Sequence, residues 1–396
     1  MQRDRSFALA CGGMAAMTAA LGIGRFVYTP ILPAMLSTLG WSKSDAGLIA
    51  SANFLGYLIG ALLAARPSVA ARPRLWLLVA LAISAVSTAA MAGPSDIASF
   101  AGLRLIGGIA SAFAIVCAST LVLDRLSRSG RGSLSAIHFA GVGFGIMLSA
   151  IIVSALLASG AGWRSLWIGS GATAMLAGLA AAALIPAADD GGIASKPATS
   201  NPAPSRTGAI ITAYGLFGFG YIITATFLVA IVRLTEEVRV LEPWIWILFG
   251  LAAIPSVTIW ARLGERIGIM NAFAVACVIE AIGVAASVEW VTISGVCFSA
   301  LLLGGTFMGV TALGLMAARV LSGGRSHQAF GRMTASFAIG QMVGPTLAGL
   351  LSERSGNFRV ASLIAAAALV AAAILALWTS WAAANDRGRY RTENGD

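Results

Sequence analysis

Two arginines, Arg25 and Arg104, stand inside long apolar stretches of this 396-residue chain. An arginine side chain can grip a carboxylate through two parallel hydrogen bonds. A charged group in such surroundings almost always faces the protein interior or water. The two residues therefore predict cationic anchors for an anionic ligand. The alternative is a structural role, in which one guanidinium pairs with backbone carbonyls or with an acid at the outer end of a helix and only braces helices.

Two further side chains in apolar stretches could carry a proton. Glu280 is the only acid deep inside such a stretch, and a carboxyl group in apolar surroundings suits a proton carrier. A hydrogen bond from Glu280 to a neighbouring helix is the alternative. His138 can titrate near neutral pH, but its place near the start of its stretch also fits a hydrogen bond at a gate. Glu280 and His138 are therefore the two candidates for proton coupling.

Polar side chains at other points of the apolar stretches complete the predicted substrate site. Tyr214 and Tyr221 are seven residues apart, so they share one face of a helix. Each residue of the set could instead serve interhelical packing, and their joint placement is what favours a lining. The lining predicted beside Arg25 and Arg104 consists of Tyr28, Asn53, Tyr57, Tyr214, Tyr221, Thr224 and Gln341.

The composition requires a bilayer around these residues. The chain is 58% hydrophobic and 11% charged, with a mean hydropathy of +0.87, whereas soluble domains carry about 25% charged residues. Apolar stretches of ~20 residues match the length of membrane-spanning helices. The net charge of +10 is spread over short loops, which argues against nucleic-acid binding. No pattern for a metal, cofactor or catalytic residue is present, so we predict neither a cofactor nor an enzyme.

Twelve apolar segments divide into two sets of six. The longest connection, 187–206, is rich in Pro, Ser, Ala and Gly and is typical of a flexible linker. It separates a predicted N-terminal six-helix bundle, 1–186, from a C-terminal six-helix bundle with a short tail, 207–396. The predicted segments are 7–37, 46–65, 74–93, 97–121, 133–158, 163–186, 207–233, 243–262, 269–287, 291–318, 332–353 and 359–381.

Basic residues orient these segments. With the N-terminus inside, 18 of the 26 Lys and Arg residues fall on the inner side and 6 on the outer side. The remaining two are Arg25 and Arg104. Since inner loops carry an excess of basic residues, we expect both termini and the linker to be cytoplasmic.

The two halves carry a repeated segment. Residues 22–35, GIGRFVYTPILPAM, align with 218–231, GFGYIITATFLVAI, at a spacing of 196 residues. Arg25 of the first copy falls on Tyr221 of the second. Six helices per half give both halves the same orientation, which is a parallel repeat around an axis along the membrane normal. The repeat therefore predicts a symmetric scaffold with its cationic groups in the N-terminal half.

Several motifs resemble those of the major facilitator superfamily. Residues 261–268, ARLGERIG, are similar to the inner-loop signature of that family through Glu265, Arg266 and Gly268, while the matching stretch 60–66 has no acid. Arg104, with two glycines shortly after it, is similar to the arginine motif that this family carries in its fourth transmembrane helix. A narrower resemblance is to the YbfB/YjiJ-type group, carried by 22–30, 51–57, 138–146 and 214–227.

The resemblance implies an all-α membrane protein with twelve transmembrane helices in two pseudo-symmetric six-helix bundles around a central cavity. Segments 1 and 4 of the twelve would border that cavity, and segment 9, 269–287, would be a peripheral brace. Glu265, Arg266 and Gly268 would belong to an inner gate. The implied function is secondary active transport by alternating access, with the protein as a monomer in the bacterial inner membrane.

The arginines narrow this function to proton-coupled transport of a small organic anion, such as a carboxylate metabolite, in symport with protons. One alternative is a proton-driven exporter of drugs or hydrophobic compounds. That class usually has an acid in the cavity, and segments 1, 4, 7 and 10 contain none. A transport-incompetent sensor or scaffold on the same fold is a third possibility, but it would carry large soluble appendages.

Overall fold

The computed structural model describes the backbone of residues 2–186, 204–321 and 326–393, and the side chains of 5–186, 208–317 and 331–382. Within these ranges the chain is mostly helical, and no strand occurs. A π-helix, Thr18–Ile23, follows α1, and 3-10 turns at Gly132–Leu134 and Glu236–Leu241 precede α7 and α10. The α-helices are α1 (Gln2–Met17), α2 (Tyr28–Leu39), α3 (Lys43–Ala64), α4 (Pro67–Ala70), α5 (Pro73–Ala90), α6 (Ile97–Arg128), α7 (Ser135–Ala158), α8 (Trp163–Leu184), α9 (Pro204–Leu234), α10 (Glu242–Ile267), α11 (Ile269–Glu289), α12 (Ile293–Leu321), α13 (Ser326–Ser355) and α14 (Arg359–Glu393).

Within the described residues, twelve helical segments are long and apolar enough to cross a membrane. Together α1 and α2 form the first span, α3 the second, and α5 to α14 the remaining ten, while α4 is a short connecting helix. The predicted fold class and the number of segments are confirmed, and the chain is a multi-pass membrane protein. We call the side on which α1 begins the terminal side, and the opposite one the far side.

The predicted linker lies almost entirely outside the described residues. Its last three positions, 204–206, belong instead to α9, which begins at Pro204. Helix α9 therefore begins three residues before the predicted segment 207–233. Proline is favoured at the first turn of a helix because its missing N–H has no partner there anyway.

The first span is broken where the sequence analysis expected one continuous segment. After the π-helix, residues 24–27 form turns before α2 begins at Tyr28. The N–H of Thr29 donates to Phe26 O at 3.2 Å rather than to Arg25 O. Pro30 has no N–H, so it cannot restore the regular ladder. The break therefore leaves carbonyl groups of Gly24 and Arg25 available in the protein interior.

The broken span crosses α7 at very short distance. A Cβ atom added at Gly145 would lie 2.8 Å from the Cα atom of Gly22 and 2.8 Å from Thr18 O. The Thr18 hydroxyl donates to Gly141 O at 2.9 Å across the same contact. Small residues allow this approach, which is how helices in lipid gain packing and interhelical hydrogen bonds.

This crossing predicts a destabilising effect of one methyl group. Gly145→Ala should lower the melting temperature of the detergent-purified protein, because overpacking against backbone costs about 1–3 kcal/mol. Gly102→Ala is the matched control, since a Cβ there meets nothing within 4 Å and alanine favours a helix by up to about 1 kcal/mol over glycine. A melting temperature of Gly145→Ala at or above that of Gly102→Ala would contradict the prediction.

The two halves meet at the membrane centre and toward the far side. Near the far end of α3, the Lys43 ammonium donates to Gly356 O at 2.9 Å, and Ser44 is hydrogen-bonded to Glu353. Deeper in the membrane, Thr29 donates to Ala225 O at 2.9 Å. The hydrogen bonds between the halves, within the described ranges, all lie between the centre and the far side. These hydrogen bonds therefore hold the two halves together from the centre to the far side.

Candidate functional site

Arg25 lies at the centre of the protein, directly after the π-helix. Its side chain is 5% exposed, its Nε atom has no hydrogen-bond partner, and its Nη2 atom donates to Gln341 Oε1 at 2.6 Å. The guanidinium carbon lies 4.7 Å from the ring centre of Phe54 and 4.6 Å from that of Tyr57, which are cation–π distances. No acid forms an ion pair with Arg25 in the described part of the chain. Arg25 is thus a buried cation held by neutral groups.

Gln341 connects the two copies of the sequence repeat. This residue of α13 is fully buried, accepts from Arg25 and donates through Nε2 to the hydroxyl oxygen of Tyr221 on α9. Arg25 and Tyr221 occupy equivalent positions of the repeat. The Gln341 side chain therefore links the arginine of the first copy to the tyrosine that replaces it in the second. The structure brings Arg25, Tyr57, Tyr221 and Gln341 into a single cluster, which we call the central cluster.

The Arg104 guanidinium donates hydrogen bonds to the broken backbone of the first span. Its Nη1 and Nη2 atoms donate to Gly24 O at 3.0 Å and to Arg25 O at 2.8 Å. The side chain is 4% exposed and Nε has no partner. The structure therefore places Arg104 in the structural arrangement that the sequence analysis gave as its alternative. Its predicted contact with a substrate stays a prediction.

Asn53 and Tyr28 support Arg104. The amide nitrogen of Asn53 donates to Arg104 O at 2.8 Å, and the Tyr28 ring centre lies 5.2 Å from the Arg104 guanidinium carbon. The Tyr28 hydroxyl donates to Ala46 O at 2.9 Å. Both side chains are buried. These two members of the predicted lining surround Arg104 rather than belonging to the central cluster.

The other predicted lining residues of α9 have different surroundings. The Tyr214 hydroxyl donates to Thr311 O at 3.1 Å, and its ring stacks on Phe337 at 4.7 Å. Thr224 is fully buried, and its hydroxyl oxygen has no hydrogen-bond partner. Tyr214 therefore packs against α12 and α13, while Thr224 keeps an unused polar group beside the contact between the halves.

Glu280 lies inside the C-terminal half on α11. It is fully buried, and both carboxylate oxygens lack a hydrogen bond of good geometry. The nearby hydroxyl of Thr306 donates to Leu302 O at 2.6 Å, and Glu280 interacts electrostatically with Tyr221 of the central cluster. The acid is thus enclosed by the protein and lies close to the cluster that contains Arg25.

His138 lies away from that cluster. It is fully buried, its Nε2 atom is 3.3 Å from the Ser119 hydroxyl, and its Nδ1 atom lies against Gly13 without a hydrogen-bond partner. Gly13 precedes Arg25 by twelve residues, which is roughly 18 Å along a helix. The structure therefore does not bring His138 into contact with Arg25.

The predicted inner-gate residues lie where α10 meets α11. Glu265, Arg266 and Gly268 are exposed, and Gly268 has a φ of +91°, which suits glycine. In the described ranges, neither charged side chain makes a hydrogen bond or ion pair. These residues form the exposed last turn of α10 and its C-cap, at the terminal side.

Two aromatic residues of the site were missed by the sequence analysis. Phe54 flanks the Arg25 guanidinium, and Phe307 stacks on Tyr221 at 5.7 Å while meeting Phe26 edge-on at 5.9 Å. Phe54 precedes Tyr57 by three residues, so helical spacing could have placed it on the same face. No local signal indicates Phe307, because its role depends on how α12 packs against both halves.

Comparison with known proteins agrees with this architecture. No curated protein matches the chain in sequence. The fold is similar to the crystal structure of the nucleoside transporter NupG, with a TM-score of 0.69, 15% identity, and coverage of 95% of this chain and 98% of that one. A mutant form of NupG matches with a TM-score of 0.71, 15% identity, and coverage of 94% and 99%. At this identity the likeness concerns the fold alone.

The family is established by a match over most of the sequence. Residues 17–377 match the family described as "Uncharacterised MFS-type transporter YbfB". This range includes Arg25, Arg104, Glu280 and Gln341. It also agrees with the resemblance to the major facilitator superfamily that the sequence motifs indicated. The chain therefore belongs to the YbfB-type family of major facilitator transporters.

Proposed function

We propose that this transporter carries a small organic anion of the carboxylate type, coupled to protons, by alternating access. Arg25 and the central cluster would bind the anion, with Thr224 and Tyr214 bordering the path. Its setting would be a bacterial inner membrane with both termini in the cytoplasm, where it would act as a monomer. The exposed turn of Glu265, Arg266 and Gly268 would then belong to the cytoplasmic gate.

The absence of an acidic partner at Arg25 carries this proposal. A buried charge without a counter-ion is costly, and the described residues offer Arg25 only Gln341 and aromatic rings. A bound carboxylate would neutralise the guanidinium and accept its remaining donors. Since Nε of Arg25 has no partner, two parallel hydrogen bonds to one carboxylate are compatible with the observed contacts.

The neutral side chains around the Arg25 charge favour an anionic substrate over a cationic drug. A cation at this position would face a guanidinium, and like charges at close range repel. The competing function is proton-driven export of hydrophobic or cationic compounds, with Glu280 as the acid. The fold's likeness to a nucleoside transporter makes a nucleoside the third compound class to compare.

Uptake into proteoliposomes tests these alternatives directly. Labelled lactate and benzoate, a cationic dye and uridine would be offered to the purified protein with and without a pH gradient. We expect carboxylate uptake that the gradient enhances, and no saturable uptake of dye or uridine. Saturable dye or uridine uptake without any carboxylate uptake would overturn the proposed substrate class.

Glu280 is our candidate for the proton site, because it is fully buried and within electrostatic range of Tyr221 in the central cluster. Glu280→Gln keeps the size and the buried environment of the side chain but removes the titrating proton. We expect this variant to bind benzoate and exchange it across the membrane at equal concentrations, while losing accumulation driven by a pH gradient. His138→Gln is the matched comparison. If it loses gradient-driven uptake and Glu280→Gln does not, the proton site is His138 instead.

A further inference from the structure

A cavity lies between the two halves on the far side. Its volume is about 830 Å³, within the range of ligand sites in proteins. The walls come from the far ends of α2, α7, α9 and α10, so both halves contribute. We call this cavity the far vestibule. Apolar residues form most of the wall, among them Pro33, Val153, Leu157, Val229 and Trp246.

Charged residues gather at the same cavity and their sum is positive. Arg233, Arg239, Lys43 and Glu242 all line the far vestibule. Arg233 is paired with Glu242 through one contact of 3.2 Å. Lys43 is occupied by carbonyls at the end of α13. In the described part of the chain, Arg239 makes one hydrogen bond, from Nε to Arg233 O at 3.0 Å. Its terminal nitrogens make no hydrogen bond there, and its charge interacts with the Glu242 carboxylate only at longer range.

A buried polar group of the wall also has no partner. Trp246 is 1% exposed, its ring stacks on Phe249 at 4.5 Å, and its Nε1 atom forms no hydrogen bond. An indole N–H is a donor that usually finds an acceptor when buried. In native proteins an unsatisfied buried donor calls for an explanation. A ligand with an acceptor oxygen in the vestibule supplies one.

The vestibule is separated from the central cluster by the contact between the halves. Pro30 and Val229 line the vestibule, whereas Thr29 and Ala225, closer to Arg25 on the same helices, are joined by a hydrogen bond. Phe26 and Phe307 pack edge-on below this layer. A ligand in the vestibule is therefore distinct from one at Arg25.

We propose that the far vestibule is a second binding site for a small organic anion. Arg239 and the Trp246 indole N–H bind the carboxylate, and the apolar body lies against Pro33, Val153 and Leu157. The site holds an anion next to the contact that joins the halves at Thr29 and Ala225. The choice of ligand class rests on the proposed function, whereas the site itself rests on the vestibule's own residues.

Binding of labelled benzoate to the protein in nanodiscs tests this site, with empty nanodiscs as background. Arg25→Gln removes the central anchor, and we expect one equivalent of benzoate to remain bound. In that background, Arg239→Gln and Trp246→Phe should each weaken the remaining binding about tenfold or more. Arg239→Lys, which keeps the charge, should recover part of the affinity. Arg354→Gln, which removes an exposed arginine from the far end of α13, should change nothing.

The outcomes separate the two proposals. If wild-type protein binds one equivalent and Arg25→Gln binds none, the vestibule site is wrong and the central site stands. If wild type and Arg25→Gln each bind one equivalent of benzoate, and Arg239→Gln abolishes that binding, the vestibule site is supported and the central site is wrong. Binding to neither protein overturns both. If Arg354→Gln weakens benzoate binding as much as Arg239→Gln does, the effect comes from the general surface charge. That result would also overturn the vestibule site.

Discussion

Arg25→Gln is expected to lower the initial rate of carboxylate uptake by about 30-fold or more. Truncating one partner of a buried, hydrogen-bonded charge pair costs about 2 kcal/mol at the least. The amide of glutamine is too short and uncharged, so it cannot replace a guanidinium that faces a carboxylate. Arg25→Lys keeps the charge but loses the planar pair of donors, and its rate should fall between those of Arg25→Gln and wild type.

The folded state of these variants should change little. Arg25 has no acidic partner among the described residues, so its removal strands no buried carboxylate. It does leave the buried Gln341 Oε1 without its donor, but it also removes a buried charge that has no counter-ion, and we expect the two effects to offset each other. We expect gel-filtration profiles and melting temperatures close to those of wild type. The exposed Arg354→Gln variant controls for the loss of one positive charge. Wild-type uptake by Arg25→Gln would exclude Arg25 from the substrate site.

Arg104→Leu is expected to reduce stability by roughly 2–5 kcal/mol, because the carbonyls of Gly24 and Arg25 would become buried acceptors without donors. The measurement is the fraction of monodisperse protein that survives heating in detergent. Arg104→Lys can reach one of the two carbonyls and should lose about half as much.

Benzoate binding by the Arg104→Lys variant tests whether Arg104 positions Arg25 or only stabilises the fold. A loosened backbone at residues 24 and 25 would displace the Arg25 side chain. We therefore expect weaker benzoate binding to the folded Arg104→Lys protein, in addition to its lower melting temperature. If Arg104→Leu melts like wild type, the two hydrogen bonds do not hold the broken span. The two buried arginines thus differ in their expected phenotypes: loss of transport with little loss of stability for Arg25, and loss of stability accompanied by weaker binding for Arg104.

The sequence predicts much of the fold because membrane helices carry strong local signals. Twelve apolar stretches of suitable length were recognisable one by one, and the predicted number of spans is confirmed. Helix ends were less well defined, as at Pro204, because backbone hydrogen bonding rather than hydropathy sets them. The break in the first span lies among Gly22, Gly24 and the two prolines of α2, which are residues that weaken a helix. Its position at Arg25, however, depends on contacts with α6 and α7.

Residue type and spacing determined by themselves that Arg25 and Arg104 are buried cations and that Glu280 is the deep acid. Only the tertiary structure distinguished the two arginines. Arg104 reaches backbone carbonyls that exist because another helix is broken, and Arg25 reaches Gln341, which is 316 positions away. The far vestibule likewise depends on helix ends from both halves. A bilayer imposes apolar length on each helix separately, whereas partners of buried polar groups are chosen by packing between helices.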